Sequence, residues 1–296
     1  MVRIAVSGSI ATDHLMTFPG EFAGQLLAER LDVVSLSFLV DELVVRRGGV
    51  AANIAYGLGL LGLRPVLLGG VGADFGDYRA WLERHGVDCS HVHVSRSRHT
   101  ARFVCTTDRN QCQIASFYPG AMAESGAVRL SDIGEPFDLV LIGADEPATM
   151  LARADECRKL GIPFAVDPSQ QLARFDGADI MAFIDGARYL LTNEYEGALL
   201  EAKTGCTAAQ LQARVEVRVT TLADRGVHVA TRHERFTVPA AATARVVDPT
   251  GVGDGFRAGF FAGVLHGRSL RESARLGCLV AARVIESAGS QEYTLD

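Results

Sequence analysis

The sequence predicts an α/β fold: a mainly parallel central sheet with helices on both faces, and a small β-strand lid beside it. Short apolar runs typical of buried strands alternate with longer helical segments over most of the 296 residues, as in consecutive βαβ units. Residues 12–47 and 99–118 break this rhythm, because polar and apolar residues alternate there as in half-buried strands. Both segments lie near a predicted strand end, where open α/β sheets bind ligands. We therefore expect a lid over a core of residues 1–11, 48–98 and 119–296, with ordinary surface hairpins as the alternative.

The elements of the core follow one another in a regular order. The predicted strands are short apolar runs bounded by turn residues, at 4–7, 65–69, 139–142, 163–166, 189–192 and 217–221. The predicted helices are longer segments with helical periodicity, at 50–61, 75–85, 148–160, 194–204, 254–266 and 270–288. Because strands and helices of this length alternate, the sheet should be parallel and buried on both faces.

Composition excludes several classes of protein. The hydrophobic fraction of 48% and charged fraction of 22% are ordinary for a globular chain with a sizeable core. The net charge of −6 and the absence of a Lys/Arg-rich run argue against a nucleic-acid or membrane partner. The longest apolar region, 56–71, is interrupted by Arg64, Pro65 and several glycines, so it does not predict a membrane helix. Six scattered cysteines without a Cys-x-x-Cys pair, and an N-terminus that does not resemble a signal peptide, predict free thiols in a cytoplasmic protein.

The most informative segment is residues 247–256, Val-Asp-Pro-Thr-Gly-Val-Gly-Asp-Gly-Phe, which opens a predicted helix. Backbone N–H groups of Gly251, Val252 and Gly253 would converge on one point at the helix start, which favours an anion. Asp254 then carries a fixed negative charge where an anion should bind. A carboxylate in that position suits a general base beside a transferring phosphoryl group. A glycine-rich turn with Asp254 as a helix N-cap is the alternative.

Two further segments suit the binding of hydroxyl groups. Ser9 and Asp13 follow the first predicted strand, and a carboxylate accepts hydrogen bonds from vicinal hydroxyls well. Gly48 precedes a predicted helix that carries Asn53 one turn in, so a sugar could approach the backbone and contact an amide. The alternatives are a turn capped by Asp13 and a glycine hinge with an incidental Asn53.

These motifs resemble the two signatures of the ribokinase-like (PfkB) carbohydrate kinases. The first is Gly-Gly-x-x-x-Asn at 48–53; the second is Asp-Thr-x-Gly-Ala-Gly-Asp at 248–254, with Pro249 for Thr and Val252 for Ala. Their order and their separation by about two hundred residues are much more specific than either motif. The resemblance implies a three-layer α/β/α sandwich with a β lid, ATP and Mg²⁺ as cofactors, and Asp254 as catalytic base.

The same resemblance implies nucleotide-side residues. Asn193 and Glu196 match the Asn-x-x-Glu motif, in which the glutamate organises Mg²⁺ through water, although a capped helix start would give the same pattern. Thr221 and Gly226 match the loop that contacts ATP, with Ala223 where glycine is usual.

Two broader features also come from the resemblance. Asp248 is a candidate ligand of a monovalent cation such as K⁺. The lid often pairs between subunits in this family, so a homodimer through the lid is expected.

The identity of the acceptor depends on shorter strings. Residues 8–14, 34–40, 100–103, 115–121 and 167–174 are similar to adenosine kinases of the actinobacterial type. Aromatic rings could flank a purine and polar side chains could read its edge; the candidates are Phe103, Phe117, Gln170, Gln171 and Ser37. Lid packing or a dimer interface is the alternative for the phenylalanines, and a solvated loop for the glutamines.

The expected reaction is ATP-dependent phosphorylation of the 5′-hydroxyl of adenosine, giving AMP and ADP for purine salvage. Another sugar or nucleoside kinase of the same family (ribokinase, fructokinase, guanosine or inosine kinase) is the nearest alternative. A ligand-binding regulator on an inactive kinase scaffold is a non-enzymatic alternative, which retention of Asp254, Asn193 and Glu196 disfavours.

Overall fold

The computed structural model describes residues 2–25, 33 and 35–295, so residues 26–32 and 34 of the predicted lid segment lie outside the described part. Its strands, in chain order, are β1 (Ile4–Ser7), β2 (Ala11–Thr17), β3 (Glu42–Gly48), β4 (Val66–Leu68), β5 (Gly70–Val71), β6 (His93–Val94), β7 (Ala101–Thr107), β8 (Gln113–Tyr118), β9 (Leu139–Ile142), β10 (Phe164–Val166), β11 (Tyr189–Asn193), β12 (Val217–Thr221), β13 (Val227–Ala230) and β14 (Arg235–Val238). Its α-helices are α1 (Val50–Leu60), α2 (Gly76–Arg84), α3 (Pro147–Leu160), α4 (Gly177–Ile184), α5 (Glu194–Thr204), α6 (Ala208–Gln212), α7 (Val252–Leu265) and α8 (Leu270–Ile285).

The central sheet has eight strands in the order β14-β13-β12-β11-β10-β9-β1-β4. The strands from β4 to β12 pair in parallel, and β13 and β14 continue the sheet antiparallel at one edge. Ile4 and Val6 of β1 pack into the apolar cluster with α1, α2, α7 and α8, whereas Ala5 packs into the cluster on the other face with α3 to α6. The predicted mainly parallel α/β fold is therefore confirmed, with three layers.

Local chemistry explains where the helices begin and end. Helix α7 begins at Val252, two residues earlier than predicted, because Gly251 adopts a left-handed conformation with φ of 76° immediately before it. Helix α8 begins after Ser269, whose side chain accepts a hydrogen bond from the Glu272 N–H in a capping box. It ends at Ile285, short of the predicted residue 288, and the chain then returns towards α1.

Some elements were not predicted from the sequence. Helices α4 and α6 are short, so neither shows enough turns for a periodic apolar pattern. Strand β14 forms the outer edge of the sheet, where alternating exposed and buried residues replace the apolar run of a central strand. All six cysteines are free, as expected. Among the described residues, no helix is both long enough and apolar enough to span a membrane.

The lid is a second sheet of four strands in the order β3-β2-β7-β8. Strand β2 pairs antiparallel with β3 and parallel with β7, and β7 pairs antiparallel with β8. One row of paired residues crosses all four strands: Arg46, Asp13, Phe103 and Phe117. Paired residues in neighbouring strands share a face, so these four side chains line the same face of the lid.

Candidate active site

A glycine loop leads into the N-terminus of α7. A Cβ atom at Gly251 would lie 2.4 Å from the Cβ of Ser290, and its φ of 76° also disfavours other residues. The loop can therefore turn tightly into the helix only with glycine at this position. The first-turn N–H groups of an α-helix have no intrahelical acceptor, so those of Gly253 and Asp254 remain available for an anion, whereas the Val252 N–H makes a long bond of 3.4 Å to the Pro249 carbonyl. This geometry fits the predicted anion hole.

The carboxylate of Asp254 is held from helix α1. Its Oδ2 accepts a hydrogen bond of 2.8 Å from Nδ2 of Asn53. The Oδ1 of Asn53 accepts bonds of 2.9 Å from the Ser290 hydroxyl and from Nε2 of Gln291, which fixes the amide orientation. Desolvation by burial raises the pKa of Asp254 to about 6, against the lowering effects of Asn53 and the Arg257 charge. A carboxylate near neutral pKa beside an anion site suits a general base.

A buried ion pair lies behind the anion loop. The guanidinium of Arg257 contacts both carboxylate oxygens of Asp167, with Nη2 donating to Oδ1 at 2.8 Å. Its Nη1 donates to the carbonyl oxygen of Gly253 at 2.9 Å. The pair therefore links the end of strand β10 to the first turn of α7.

The predicted hydroxyl-binding residues lie where the lid meets the core. A Cβ at Gly48 would lie 3.0 Å from Oδ2 of Asp13, so glycine lets this carboxylate approach the backbone. Burial raises the pKa of Asp13, while the charge of Arg46 opposes this effect. Arg46 also donates to Oδ2 of Asp248 at 2.6 Å. The lid carboxylate and the start of the anion loop thus share one guanidinium.

The remaining acceptor-side candidates differ in accessibility. The Ser9 hydroxyl is buried and accepts a hydrogen bond of 3.0 Å from the Val50 N–H, so it caps helix α1. Gln171 is buried with only 8% of its surface exposed, whereas Gln170 and Ser37 are exposed. Phe117 is 51% exposed and therefore offers an open ring face on the lid.

The nucleotide-side candidates lie at the ends of neighbouring strands. Asn193 and Thr221 are paired residues of β11 and β12. The loop that follows β12 reaches Gly226, where a Cβ would lie 2.1 Å from the Val238 carbonyl oxygen, so only glycine fits. Ala223 keeps a left-handed φ of 54°, the conformation that glycine adopts more easily. The backbone of this loop therefore retains a glycine-type turn despite the substitution.

Asn193 and Glu196 form a reciprocal helix cap. The Asn193 side chain accepts from the Glu196 N–H at 2.8 Å, and Oε2 of Glu196 accepts from the Asn193 N–H at 2.7 Å. The capping alternative is thus present in the structure, and it leaves Oε1 of Glu196 without a hydrogen-bond donor in the described part of the chain. Burial, then the charge of Asp167, raises the pKa of Glu196. A half-buried carboxylate with one open oxygen fits contact with Mg²⁺ through water.

Neither expected cation has a preformed protein cage. The described residues contain no group of three or more His, Cys, Asp or Glu side chains that could hold a metal ion. This agrees with Mg²⁺, which is held largely by water and substrate phosphates in such sites. The Asp248 carboxylate is less suited to a monovalent cation, because Thr250 N–H donates to Oδ1 at 2.9 Å and Arg46 occupies Oδ2. A cation at Asp248 stays a prediction, and no step is assigned to it.

The structure adds residues that the motifs did not single out. They are Arg46, Asp167, Arg257, Ser290 and Gln291, each in contact with a predicted site residue or its loop. Arg257 could have been suspected, because it lies one helical turn after Asp254 and is a charged residue in an apolar run. Ser290 and Gln291 lie in no local sequence pattern that would have indicated a role at the site.

Comparisons with known proteins show what this chain is similar to. The profile described as pfkB family carbohydrate kinase matches residues 23–296. A nucleoside kinase of Methanocaldococcus jannaschii is 27% identical over 296 residues, covering 98% of this chain and 93% of that one. The ligand-free nucleoside kinase of Burkholderia thailandensis superposes with a TM-score of 0.90 at 35% identity, covering 99% and 96% of the two chains. Its complex with ADP and inosine gives a TM-score of 0.85 at 35% identity, covering 99% and 92%.

The fold and the site together define a ribokinase-like kinase, an enzyme that transfers a phosphoryl group from ATP. This chain belongs to the pfkB family of carbohydrate kinases. The family resemblance inferred from the two signatures is therefore confirmed. The two relatives named above are nucleoside kinases rather than adenosine kinases specifically.

Proposed function

We propose that this protein transfers the γ-phosphoryl group of ATP to the 5′-hydroxyl of a nucleoside, with adenosine as the preferred acceptor and AMP and ADP as products. The observation that carries this proposal is the row on the lid, in which Asp13 is paired with Phe103 and Phe103 with Phe117. Neighbouring strands are about 4.8 Å apart, so the carboxylate and the farther ring are separated by about 10 Å. That arrangement suits a ribose against Asp13 with its base against the aromatic rings.

The lid row also separates nucleosides from simple sugars. Ribose or fructose needs hydroxyl contacts, which Asp13 and Asn53 would supply, but neither sugar has a base that could stack on the two phenylalanines. An exposed ring such as Phe117 stabilises a stacked base by about 1–3 kcal/mol. The nucleoside kinases among the relatives, and the inosine complex of one of them, support the same assignment.

The proposed chemistry is an in-line transfer carried by few groups. Glu196 would hold Mg²⁺ through water, and the ion would offset the negative charge of the phosphates of bound ATP. Asp254 accepts the proton of the 5′-hydroxyl as that oxygen attacks the γ-phosphorus, and the bond from this phosphorus to the β,γ-bridging oxygen breaks to release ADP. The N–H groups at the start of α7 stabilise the charge on the transferring group, since they are oriented before the reaction begins. The lid excludes water and so limits hydrolysis of ATP.

Adenosine is favoured by the turn after strand β10. Gln170 is exposed there. Its Nε2 can donate, and its Oε1, which accepts a bond of 2.5 Å from the Ser169 hydroxyl, keeps a second lone pair, so the amide matches the N1 and N6 edge of adenine. An amide can also rotate to match the edge of hypoxanthine, so inosine is the second candidate acceptor. The complex of a relative with inosine gives that candidate specific support.

An ADP-release assay with ATP and Mg²⁺ tests the proposal, with adenosine, inosine, guanosine, ribose and fructose as parallel acceptors. We expect adenosine-dependent ADP with AMP as the second product. Turnover with inosine alone would correct the base preference but keep the nucleoside assignment. Turnover with free sugars alone would overturn the role of Phe103 and Phe117. Absence of turnover with every acceptor would favour a regulator.

We also propose that two copies of this chain pair through the outer face of the lid. That face carries exposed apolar side chains on its two edge strands, β3 and β8: Leu43, Val45, Ile114 and Tyr118. Such a patch is unusual on a monomer and marks an interaction surface. Light scattering should give twice the mass of one chain, and Val45→Glu should give the monomer. A monomeric wild-type protein at micromolar concentration contradicts the pairing.

A further inference from the structure

The buried ion pair between Asp167 and Arg257 is not explained by stability. Only 1% of the Asp167 side chain and 7% of the Arg257 side chain are exposed. Removing two charges from water costs several kcal/mol per ion, and apolar replacements of buried pairs are often equally stable. A charged pair in the core of this domain therefore calls for a role at the neighbouring site.

The contacts of Arg257 show what that role is. Its Nη1 donates to the Gly253 carbonyl, which belongs to the same peptide group as the Asp254 N–H. In a planar trans peptide the carbonyl and the N–H point in opposite directions, so fixing one fixes the other. The bond from a charged donor also polarises the peptide, which makes its N–H a better donor. A Cβ at Gly253 would lie 2.9 Å from Nη1, so glycine gives the guanidinium access.

The pair also adjusts the electrostatic environment of Asp254. The positive charge of Arg257 lowers the pKa of that carboxyl group, and the negative charge of Asp167 raises it. Two other titratable groups face this cluster, Glu196 from helix α5 and Tyr293 from the C-terminal segment. Helix α1 contributes the neutral amide of Asn53. The two members of the pair thus act on the carboxylate in opposite directions.

We propose that the Asp167–Arg257 pair is a positioning element of the anion hole: it orients the Gly253–Asp254 peptide and sets the charge around the catalytic carboxylate. Both residues act through Asp254 and its peptide group rather than on the substrate, since the three guanidinium nitrogens contact Asp167 and Gly253. The inference rests on the proposed role of Asp254 as general base.

The test is the pH dependence of kcat/KM for the nucleoside in three variants. The acid limb of this profile, where activity falls as Asp254 becomes protonated, reports the pKa of Asp254. Asp167→Asn removes a negative charge and should lower the pH of the acid limb by about one unit, whereas Arg257→Met should raise it by about one unit. Arg257→Lys keeps the positive charge but cannot bond Asp167 and Gly253 at once as the planar guanidinium does. The acid limb should therefore keep its pH while kcat falls about tenfold. Loss of packing alone would lower activity without opposite shifts of the limb.

A matched control is Arg153→Met, because Arg153 is equally buried and paired with Glu156 on helix α3. It should lower the unfolding temperature and leave the acid limb unchanged.

The inference is overturned if the acid limb of the pH profile does not move in Asp167→Asn and Arg257→Met, or if it moves in the same direction in both variants. If Arg257→Met does not fold, the inference is overturned when the acid limb of Asp167→Asn lies at the same pH as that of the wild type. Asp254→Asn is measured alongside: if that variant is active, the base assignment fails too, and if it is inactive, only the role of the pair is at stake.

Discussion

Asp254→Asn should lose activity and gain stability at the same time. The amide is nearly isosteric and its oxygen can still accept from Nδ2 of Asn53, so the fold should be retained. It cannot accept the proton of the nucleoside hydroxyl, and loss of a general base lowers kcat by about 100-fold to 10,000-fold. Nucleoside affinity should change little, because Asp13 and the lid residues are untouched.

The gain in stability follows from the raised pKa. Burial raises the pKa of Asp254 from its ordinary value of 3.8 to about 6, so the folded state binds the proton more tightly than the unfolded state. Below about pH 4 Asp254 is protonated in both states, so it costs the fold no stability. Between about pH 4 and 6 it ionises in the unfolded state first, and the free energy of unfolding falls. Above pH 6 the loss of stability is complete. It amounts to about 3 kcal/mol, because the pKa differs by about two units and each unit corresponds to about 1.36 kcal/mol.

Urea unfolding at two pH values measures this effect. At pH 7.5 the variant should be more stable than the wild type by up to about 3 kcal/mol, and at pH 5 by about half as much. Nucleoside-dependent release of ADP is measured on the same preparations. A variant that is less stable at pH 7.5, or that keeps more than a tenth of the wild-type kcat, would refute the reasoning.

Three further substitutions test other parts of the site. Phe117→Leu should raise KM for the nucleoside at least about fivefold through lost stacking, while Tyr118→Leu on the opposite face of the same strand should not; equal effects would contradict the stacking role. Gln170→Ala should lower kcat/KM for adenosine about tenfold, and a variant with unchanged kinetics would remove the glutamine from base recognition. Gly251→Ala should abolish transfer, since its Cβ would collide with Ser290; an active variant would show that the loop can turn without glycine. Steady-state kinetics with ADP release provides all of these values.

Much of this architecture was predictable because it is encoded locally. The predicted strands at 139–142 and 217–221 matched β9 and β12, and β9 is the continuous apolar run that a buried parallel strand needs. The position of Asp254 in the first turn of a helix was predictable because glycines and a helix start lie next to it in the chain. The predicted cap alternative at Asn193 was visible for the same reason, since capping depends on residues three positions apart.

The remaining features depend on contacts that no local pattern reports. Ser290 and Gln291 orient Asn53 from the far end of the chain, and nothing in their immediate sequence indicates this. The pairing of Arg46 with Asp248 likewise joins two motifs whose mutual distance could not be obtained from spacing. The assignment of Phe103 and Phe117 to one row required the register of the lid, because a shift by one residue would turn a side chain to the other face.

The bonds that assemble the catalytic centre span most of the polypeptide. Asn53 and Asp254 are 201 positions apart, Arg46 and Asp248 are 202 apart, and Asn53 and Ser290 are 237 apart. Each of these contacts closes a very long loop, and such contacts form only after the intervening segments have become ordered. During refolding, helical content should therefore recover well before turnover does. Catalytic activity is thus a sensitive reporter of the complete native topology, and separate fragments of the chain should possess none of it.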